Sequence, residues 1–407
     1  MNVSGQPTRV LSGMRPTGRL HLGHYHGVIK PWVQLQHEHQ CFYFVADWHA
    51  LTTEFEAVNE KNMRENVWDM IIDWLASGVD PELATIFIQS RVPEHAELYL
   101  LLSMISPLGW LERVPSFKDQ QEKLQNRDLS THGFLGYPVL QSADILMYRA
   151  SLVPVGEDQV PHIELTRELA RRFNSIFGRE PDFREKAEHA IRKLGKKIGR
   201  QYRDCQQAYT ERGDDLALAK AQELLAAVSN LSRADRDRLL GFLEGGGRQI
   251  LTEPEAYLTE ASKVPGLDGQ KMSKSYGNAI YLRDDRDRIN TSVRSMPTDP
   301  ARVRRNDPGD PDKCPVWDLH KIYTEDSTKK WIREGCTSGS IGCLDCKEPL
   351  IDSLLQEQDL HAERAKPYIE DQGFLKGVIA EGCERAGAVA EATMSEVRRH
   401  VGTAGYR

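Results

Sequence analysis

The stretch Arg9-Val-Leu-Ser-Gly-Met-Arg-Pro-Thr-Gly-Arg-Leu-His-Leu-Gly-His24 decides how the rest of the chain is read. Residues 9–13 make a short strand ending in glycine, and a glycine-bearing turn leads into a helix over 22–36. Pro31 should kink that helix or make it locally irregular, because proline lacks the N–H that an interior turn uses. Working outward, residues 41–46 (CFYFVA) are a continuous apolar run, as in a strand buried on both faces. Residues 62–74 carry Met63, Val67, Met70, Ile71 and Trp74 at helical spacing, and residues 84–89 (ATIFIQ) form another buried strand. Strand, helix, strand, helix, strand predicts an α/β fold, a Rossmann-like doubly wound parallel sheet with right-handed crossovers. Such sheets bind ligands at the carboxyl ends of their strands, so the loop after the first strand is where chemistry is expected.

The 407 residues suffice for two or three domains. With 40% hydrophobic and 28% charged residues the composition is that of a globular protein, and no apolar run is long enough for a transmembrane helix. Residues 1–8 are short and polar, without the apolar stretch of a signal peptide, so a cytoplasmic enzyme with no membrane partner is expected. A net charge of −7 excludes a protein coated in basic charge, yet leaves room for a local RNA-binding patch. Residues 179–250 change character: a basic run (Arg192, Lys193, Lys196, Lys197, Arg200), an Ala/Leu-rich helix over 216–228, a serine-capped helix start at Ser232, and a Gly245-Gly-Gly247 joint. This segment reads as a helical insertion between two parts of a catalytic domain, 1–178 and 251–290. Its basic run is read as a solvated face slightly ahead of an RNA contact. Residues 291–407 form a mainly α-helical C-terminal domain, broken by the Pro/Asp-rich stretch 298–314 and a glycine-rich cysteine region.

Two constellations carry chemistry. In the first, His21 and His24 sit at a helix start, where unpaired N–H groups and a partial positive charge make a natural phosphate site. Gly23 leaves no side chain, so a nucleotide ring could lie against the backbone. In the second, Gly269-Gln-Lys-Met-Ser-Lys-Ser275, Lys271 and Lys274 stand three residues apart in a small polar loop, suited to a mobile clamp on polyphosphate. Either alone is weak, since surface histidines and lysines are common. Together, His-Leu-Gly-His and Lys-Met-Ser-Lys-Ser resemble the paired signatures of class I aminoacyl-tRNA synthetases. That resemblance implies that His21, Gly23 and His24 contact ATP and that Lys271 and Lys274 act in the transition state of amino-acid activation. Rate would come from positioning and charge stabilisation, with Mg2+ held by phosphate oxygens and water.

The amino acid is read from Tyr137-Pro-Val-Leu-Gln-Ser-Ala-Asp-Ile-Leu-Met-Tyr148, which sets Asp144 in an apolar helical stretch. A buried carboxylate needs a partner, and an indole N–H is a donor only. The segment resembles both tryptophanyl- and tyrosyl-tRNA synthetases. The next, Leu152-Val-Pro-Val-Gly-Glu-Asp-Gln-Val-Pro-His162, resembles the tryptophanyl family at almost every position, as do residues 12–18, 47–50 and 87–95. The likeness covers most of 9–178, returns at 261–290 and weakens towards the C-terminus. It implies that Asp144 meets the indole N–H and that Tyr137 and Gln159 approach the amino group. Val153 and Val155 would line the ring pocket, with His49 nearby. ATP would be met by Arg15, Pro16 and Thr17 at the phosphates and by Gly156, Glu157 and Asp158 at ribose and adenine. Val264, in a strand-like 262–266, would supply backbone contacts to adenine, while Met272, Ser273 and Ser275 complete the loop's share of the site. For Glu157 and Asp158 a helix-capping role is the rival. Arg15 stands where many relatives have glutamine. The family implies tRNA and L-tryptophan as partners and a homodimer.

Four of the seven cysteines cluster: 21 residues intervene between Cys314 and Cys336, six between Cys336 and Cys343, two between Cys343 and Cys346. Four thiolates suit tetrahedral zinc or a [4Fe–4S] cluster. The spacing resembles that of the iron–sulfur-containing bacterial tryptophanyl-tRNA synthetases, and the cluster is placed ahead of zinc, and zinc ahead of free thiols. It would fix a loop and turn Lys329, Lys330, Arg333 and Lys347 towards RNA phosphates.

Overall fold

A computed structural model of the chain describes residues 8–55, 59–114, 131–178, 182–212, 214–243, 247–258 and 264–406. The strand at the start of the chain is β1 (Arg9–Met14). The helix that follows runs α1 (Leu22–His24), a π-helical turn (Tyr25–Ile29) and α2 (Lys30–Leu35). The expected irregularity thus lies just before Pro31, where the wider turn absorbs the missing proline N–H. β2 (Gln40–Val45) is buried from Cys41 onward, as its unbroken apolar run requires. After α3 (Asp47–Glu54) comes α4 (Glu60–Ala76), which buries Val67, Met70, Ile71 and Trp74 at the predicted period, and then β3 (Ala84–Ile88). Next are α5 (Glu94–Ser103), α6 (Leu108–Leu111), α7 (His132–Met147), β4 (Leu152–Val155) and α8 (Val160–Phe177).

Among the described residues five strands form one parallel sheet in the order β3-β2-β1-β4-β5, with β5 at Glu255–Leu258. The chain reverses direction of winding between β1 and β4, so a crevice opens at their carboxyl ends. β1 ends into residues 15–18, and β4 ends into Gly156-Glu-Asp-Gln159, placing both predicted phosphate and ribose segments at that crevice. On the sheet's flank Trp32 stacks on Tyr43 at 4.3 Å and meets Trp74 edge-on at 5.1 Å, pairs worth about 0.5–1.5 kcal/mol each beyond their burial.

The segment read as an insertion forms helices α9 (Phe183–Lys193), α10 (Gly195–Arg212), α11 (Asp215–Ala227) and α12 (Arg233–Leu243). They enclose a small core of their own around Ile191, Tyr202, Leu225 and Leu239. Ser232 caps α12 as expected, its Oγ accepting from the Asp235 N–H at 3.1 Å. Lys196, Lys197 and Arg200 are exposed. Of the expected glycine joint, 245 and 246 lie outside the described residues.

The C-terminal part has α13 (Arg286–Ser295), α14 (Pro315–Tyr323), α15 (Asp326–Ser338) and the long α16 (Cys343–Glu370) and α17 (Gln372–Val401). Its apolar residues Leu350, Leu354, Ala386 and Met394 belong to the same core as the sheet. α17 lies along edge strand β3 so closely that a Cβ at Gly382 would fall 1.8 Å from the Ile86 carbonyl oxygen. A bare glycine therefore lets a helix cover a sheet edge that would otherwise stay open. Gly382→Ala should cost about 1–3 kcal/mol in urea-induced unfolding by forcing helix and strand apart. A loss below half a kcal/mol would mean that the contact is loose.

Candidate active site

The histidine motif is ordered by its own backbone. The Gly23 N–H donates to His21 Nδ1 (3.1 Å) and the His21 N–H donates to His24 Nδ1 (3.2 Å). Each Nδ1 is thereby an acceptor, which leaves the proton of the neutral ring on Nε2. Burial first, then the nearby Lys274 charge, holds His21 down at about 4. His24 is pushed well below the ordinary value by burial, His21 and Lys274. At neutral pH the two rings, 3.8 Å apart, are uncharged N–H donors at a helix start.

The lysine loop folds onto this motif. The Leu22 N–H donates to Ile280 O (3.0 Å) and the Leu282 N–H to Leu20 O (3.0 Å), so the segment after the lysines is paired to the segment carrying His21. Lys274 Nζ donates to Gly18 O at 2.8 Å. Its pKa falls to about 8, by burial first and by the Arg15 charge second. Asn278, 4% exposed, organises the loop: its Oδ1 accepts from the Ser273 N–H (2.8 Å) and its Nδ2 donates to Asp268 (2.7 Å) and to Lys271 O (3.2 Å). Met272 is buried, its N–H donating to Val264 O at 3.2 Å, while Lys271 is exposed. Residues 262 and 263 of the expected strand, and the Ser275 side chain, lie outside what is described. Val264 is buried beside the loop and its neighbour Pro265 bridges to Lys271. Arg15, His21, His24 and Lys274 are thus gathered at the crevice, where two cations beside two neutral N–H donors suit a polyphosphate. Pro16 is buried and Thr17 exposed within the same loop.

Asp144 is 1% exposed and its carboxylate is surrounded by donors. Gln89 Nε2 reaches both oxygens (2.9 and 3.0 Å), His95 Nδ1 lies 2.6 Å from Oδ1 and His49 Nε2 lies 2.8 Å from Oδ2. Burial alone would raise the Asp144 pKa, but the bonds from His49 and His95 outweigh it and the net shift is downward. Behind His95, Tyr148 stays protonated, pushed well above its ordinary value by burial and then by the Asp144 charge, and its O–H donates to His95 Nε2 at 2.8 Å. Val153 and Val155 are buried on β4. Tyr137 Oη lies 3.3 Å from His162 Nε2, and Gln159 Nε2 donates to Asp158 Oδ2 at 3.1 Å. Glu157 and Asp158 are exposed in the turn before α8. Sequence reading missed Gln89 and His95 as partners of Asp144 and Tyr148 as the partner of His95, and gave Asn278 no role. The first two lie on a stretch quoted for its family likeness, but no spacing rule brings residues 55 and 49 positions away onto one carboxylate.

The four cysteines come together at the starts of α14 and α16 and within α15. The Cys346 thiol is pushed up to about 12, by burial first and then by Cys314, Cys336 and Cys343. Arg302 Nη1 lies 3.9 Å from Cys336 Sγ, and His320 Nε2 lies 3.5 Å from Cys346 Sγ. Among the described residues no group of three or more His, Cys, Asp or Glu side chains is spaced to hold a single metal ion. Lys347 is 3% exposed and donates to the carbonyls of Arg294 and Met296, both at 2.7 Å. It caps α13 and does not face RNA as expected, because those terminal carbonyls need a donor. Arg333 pairs with Asp312 at 2.9 Å and Lys329 with Asp326 at 2.7 Å.

A parallel sheet with ATP-type motifs paired at its switch point defines a class, and the sequence agrees. The chain belongs to the class I tRNA synthetases for tryptophan and tyrosine, whose family profile matches residues 3–195 and 221–356. The unmatched residues between them fall within the span of helices α10 and α11. Over 396 residues the chain is 62% identical to a tryptophan–tRNA ligase of Ralstonia nicotianae, covering 97% of this chain and 98% of that one. It is 43% identical to the tryptophan–tRNA ligase of Thermotoga maritima, covering 96% and 98%. The tryptophanyl-tRNA synthetase of Campylobacter jejuni, solved with ADP and tryptophan, superposes with a TM-score of 0.71 at 28% identity, covering 97% and 99%. Within its class the chain belongs with the tryptophan–tRNA ligases.

Removing the central carboxylate should be costly to the fold. Asp144→Ala strands three buried donors and should lose about 3–5 kcal/mol in urea unfolding, whereas Asp144→Asn, which keeps one acceptor oxygen, should lose less. Equal stability of the three proteins would contradict the network.

Proposed function

We propose that Asp144 selects tryptophan by accepting its indole N–H, and that the paired motifs position ATP for attack. A tryptophan carboxylate oxygen forms a bond to the α-phosphorus while the bond from that phosphorus to pyrophosphate breaks, giving tryptophanyl-adenylate. A hydroxyl of the 3′-terminal ribose of tRNA then forms an ester bond to the tryptophanyl carbonyl carbon while the bond from that carbon to the phosphate oxygen breaks and AMP leaves. In this reading the Nε2–H donors of His21 and His24 meet phosphate oxygens, with Gly23 and residues 15–17 lining the approach. Lys274 and Lys271 stabilise the departing pyrophosphate, helped by Mg2+ held on phosphate oxygens and water. Met272, Ser273, Ser275 and Val264 shape the loop side, and Gly156, Glu157 and Asp158 the ribose and adenine side. Tyr137 and Gln159 take the amino group, and Val153 and Val155 the ring. The observation that carries the selectivity is the buried, donor-surrounded Asp144 carboxylate. The indole N–H would take the place of His49, whose ring is more exposed than the rings and amides on the other side. A site that pairs this donor rejects analogues lacking it by about 10⁴-fold. Pyrophosphate exchange should therefore run with L-tryptophan, not with L-tyrosine, and should collapse for the isosteric benzothienyl analogue in which sulfur replaces N–H. Equal exchange with that analogue would remove Asp144 from its role.

The four cysteines are proposed to hold a [4Fe–4S] cluster. Their mutual electrostatic contact and the donor set support it, and an iron–sulfur cube spreads its thiolates wider than a single zinc does. It would fasten the loops around α14 and α15. Anaerobically purified protein should contain about four irons and four sulfides per chain, and zinc without sulfide, or no metal, would overturn the assignment. The same reading makes 1–178 and 251–290 the catalytic domain, 179–250 an insertion with its own core, and 291–407 the anticodon-side region. It places the protein in the cytoplasm as a homodimer, for which the exposed Leu100, Met104 and Leu108 offer an apolar patch.

A further inference from the structure

Helix α14 touches three separate parts of the molecule. It begins immediately after Cys314, and its first residue, Pro315, packs on Gly269 at the head of the lysine loop. Gly269 has φ +83°, and a Cβ there would lie 2.6 Å from Pro315 Cγ and 3.0 Å from Pro315 Cβ. Midway, the fully buried His320 turns its Nε2 towards Cys346 Sγ at 3.5 Å while its Nδ1 lies 2.8 Å from Thr324 Oγ1. At the far end Tyr323 Oη lies 2.7 Å from His26 Nε2, the two rings meeting edge-on. His26 sits in the π-helical turn that follows His24 without interruption.

Packing alone would explain Val316, Trp317 and Leu319, which α14 buries. It does not explain why both ends of one short helix meet the two ATP motifs. At about 1.5 Å per residue a helix of this length is a rigid rod on the scale of a nucleotide. The wide π turn is a feature that recurs at functional sites, and here it presents His26 to the rod.

We infer that α14 is a strut that sets the spacing of the histidine motif and the lysine loop, and that the cysteine cluster sets the position of the strut. Pro315, His320 and Tyr323 are then positioning residues for ATP, acting through Gly269, Cys346 and His26. The second half of this inference rests on the proposed loading of the cysteines, and the first half does not.

Two mild variants of the full chain test it. Tyr323→Phe removes one hydroxyl and keeps the ring, and Pro315→Ala removes the brace at an N-terminal helical position that tolerates alanine. Each should raise the KM for ATP in tryptophan-dependent exchange, and the rate of tryptic cleavage after Lys271 and Lys274, by about three- to tenfold, the effect of one hydrogen bond or contact. Tryptophan affinity by fluorescence, iron and sulfide content, and Tm should stay at wild-type values. Wild-type cleavage and KM in both variants would overturn the strut. Cys343→Ser should loosen the loop to the same degree, and adding Pro315→Ala to it should change nothing further. Additive effects would overturn the coupling while leaving the strut standing. A wild-type chain without metal or sulfide would refute the loading alone, and with it the coupling, and Tyr323→Phe would still decide the strut.

Discussion

The two backbone hydrogen bonds that join residues 20 and 22 to residues 282 and 280 are the constraint on which the rest of the site depends. They tie a segment near the start of the chain to one more than 250 residues later, on opposite sides of helices α9 to α12. Once that pairing forms, His21 and Lys274 must share one small volume, because Lys274 is further fastened to the Gly18 carbonyl. The consequence is an accumulation of positive charge and N–H donors that the folded protein tolerates at some expense. Burial first, and neighbouring charge second, depress Lys274, His21 and His24, and a polyphosphate at the proposed ATP site would relieve that expense.

The tryptophan side follows the opposite logic. There a negative group is buried and fully served by the protein's own donors, so the fold gains from a carboxylate that would otherwise be costly to bury. In the proposed reading, selection of the substrate would mean exchange: one donor, His49, would give way to another of the same kind. Gln89 and His95, the latter backed by Tyr148, hold the carboxylate from behind, so that the proposed exchange would alter one bond and not the pocket. Among the described residues the buried Gln89 Oε1 atom has no hydrogen-bond partner, which marks the network as built around Asp144 and not around the glutamine.

Much of this was legible in the sequence for identifiable reasons. The sheet was legible because residues 41–45 and 84–88 are apolar without alternation, a pattern that parallel strands require. The helix-start histidines and the lysine loop were legible because glycine and small polar residues surround them. What was not legible came from distance along the chain. Nothing local in Gln89 or His95 indicates a partner at 144, and the burial of Lys347 follows from where α13 happens to end. The closeness of α17 to β3 likewise turns on a single glycine, Gly382, that reads as ordinary in a helix.

The most direct measurement is the ionisation of Lys274 itself, from the pH dependence of its acylation followed by peptide mass spectrometry, with and without ATP. The free protein should titrate near 8, and because an anion favours the ammonium form, ATP should move that midpoint upward. A free-protein midpoint at the ordinary lysine value of about 10.4, or one that ATP leaves unmoved, would contradict the account of a buried lysine, crowded by Arg15, whose charge is costly until polyphosphate binds.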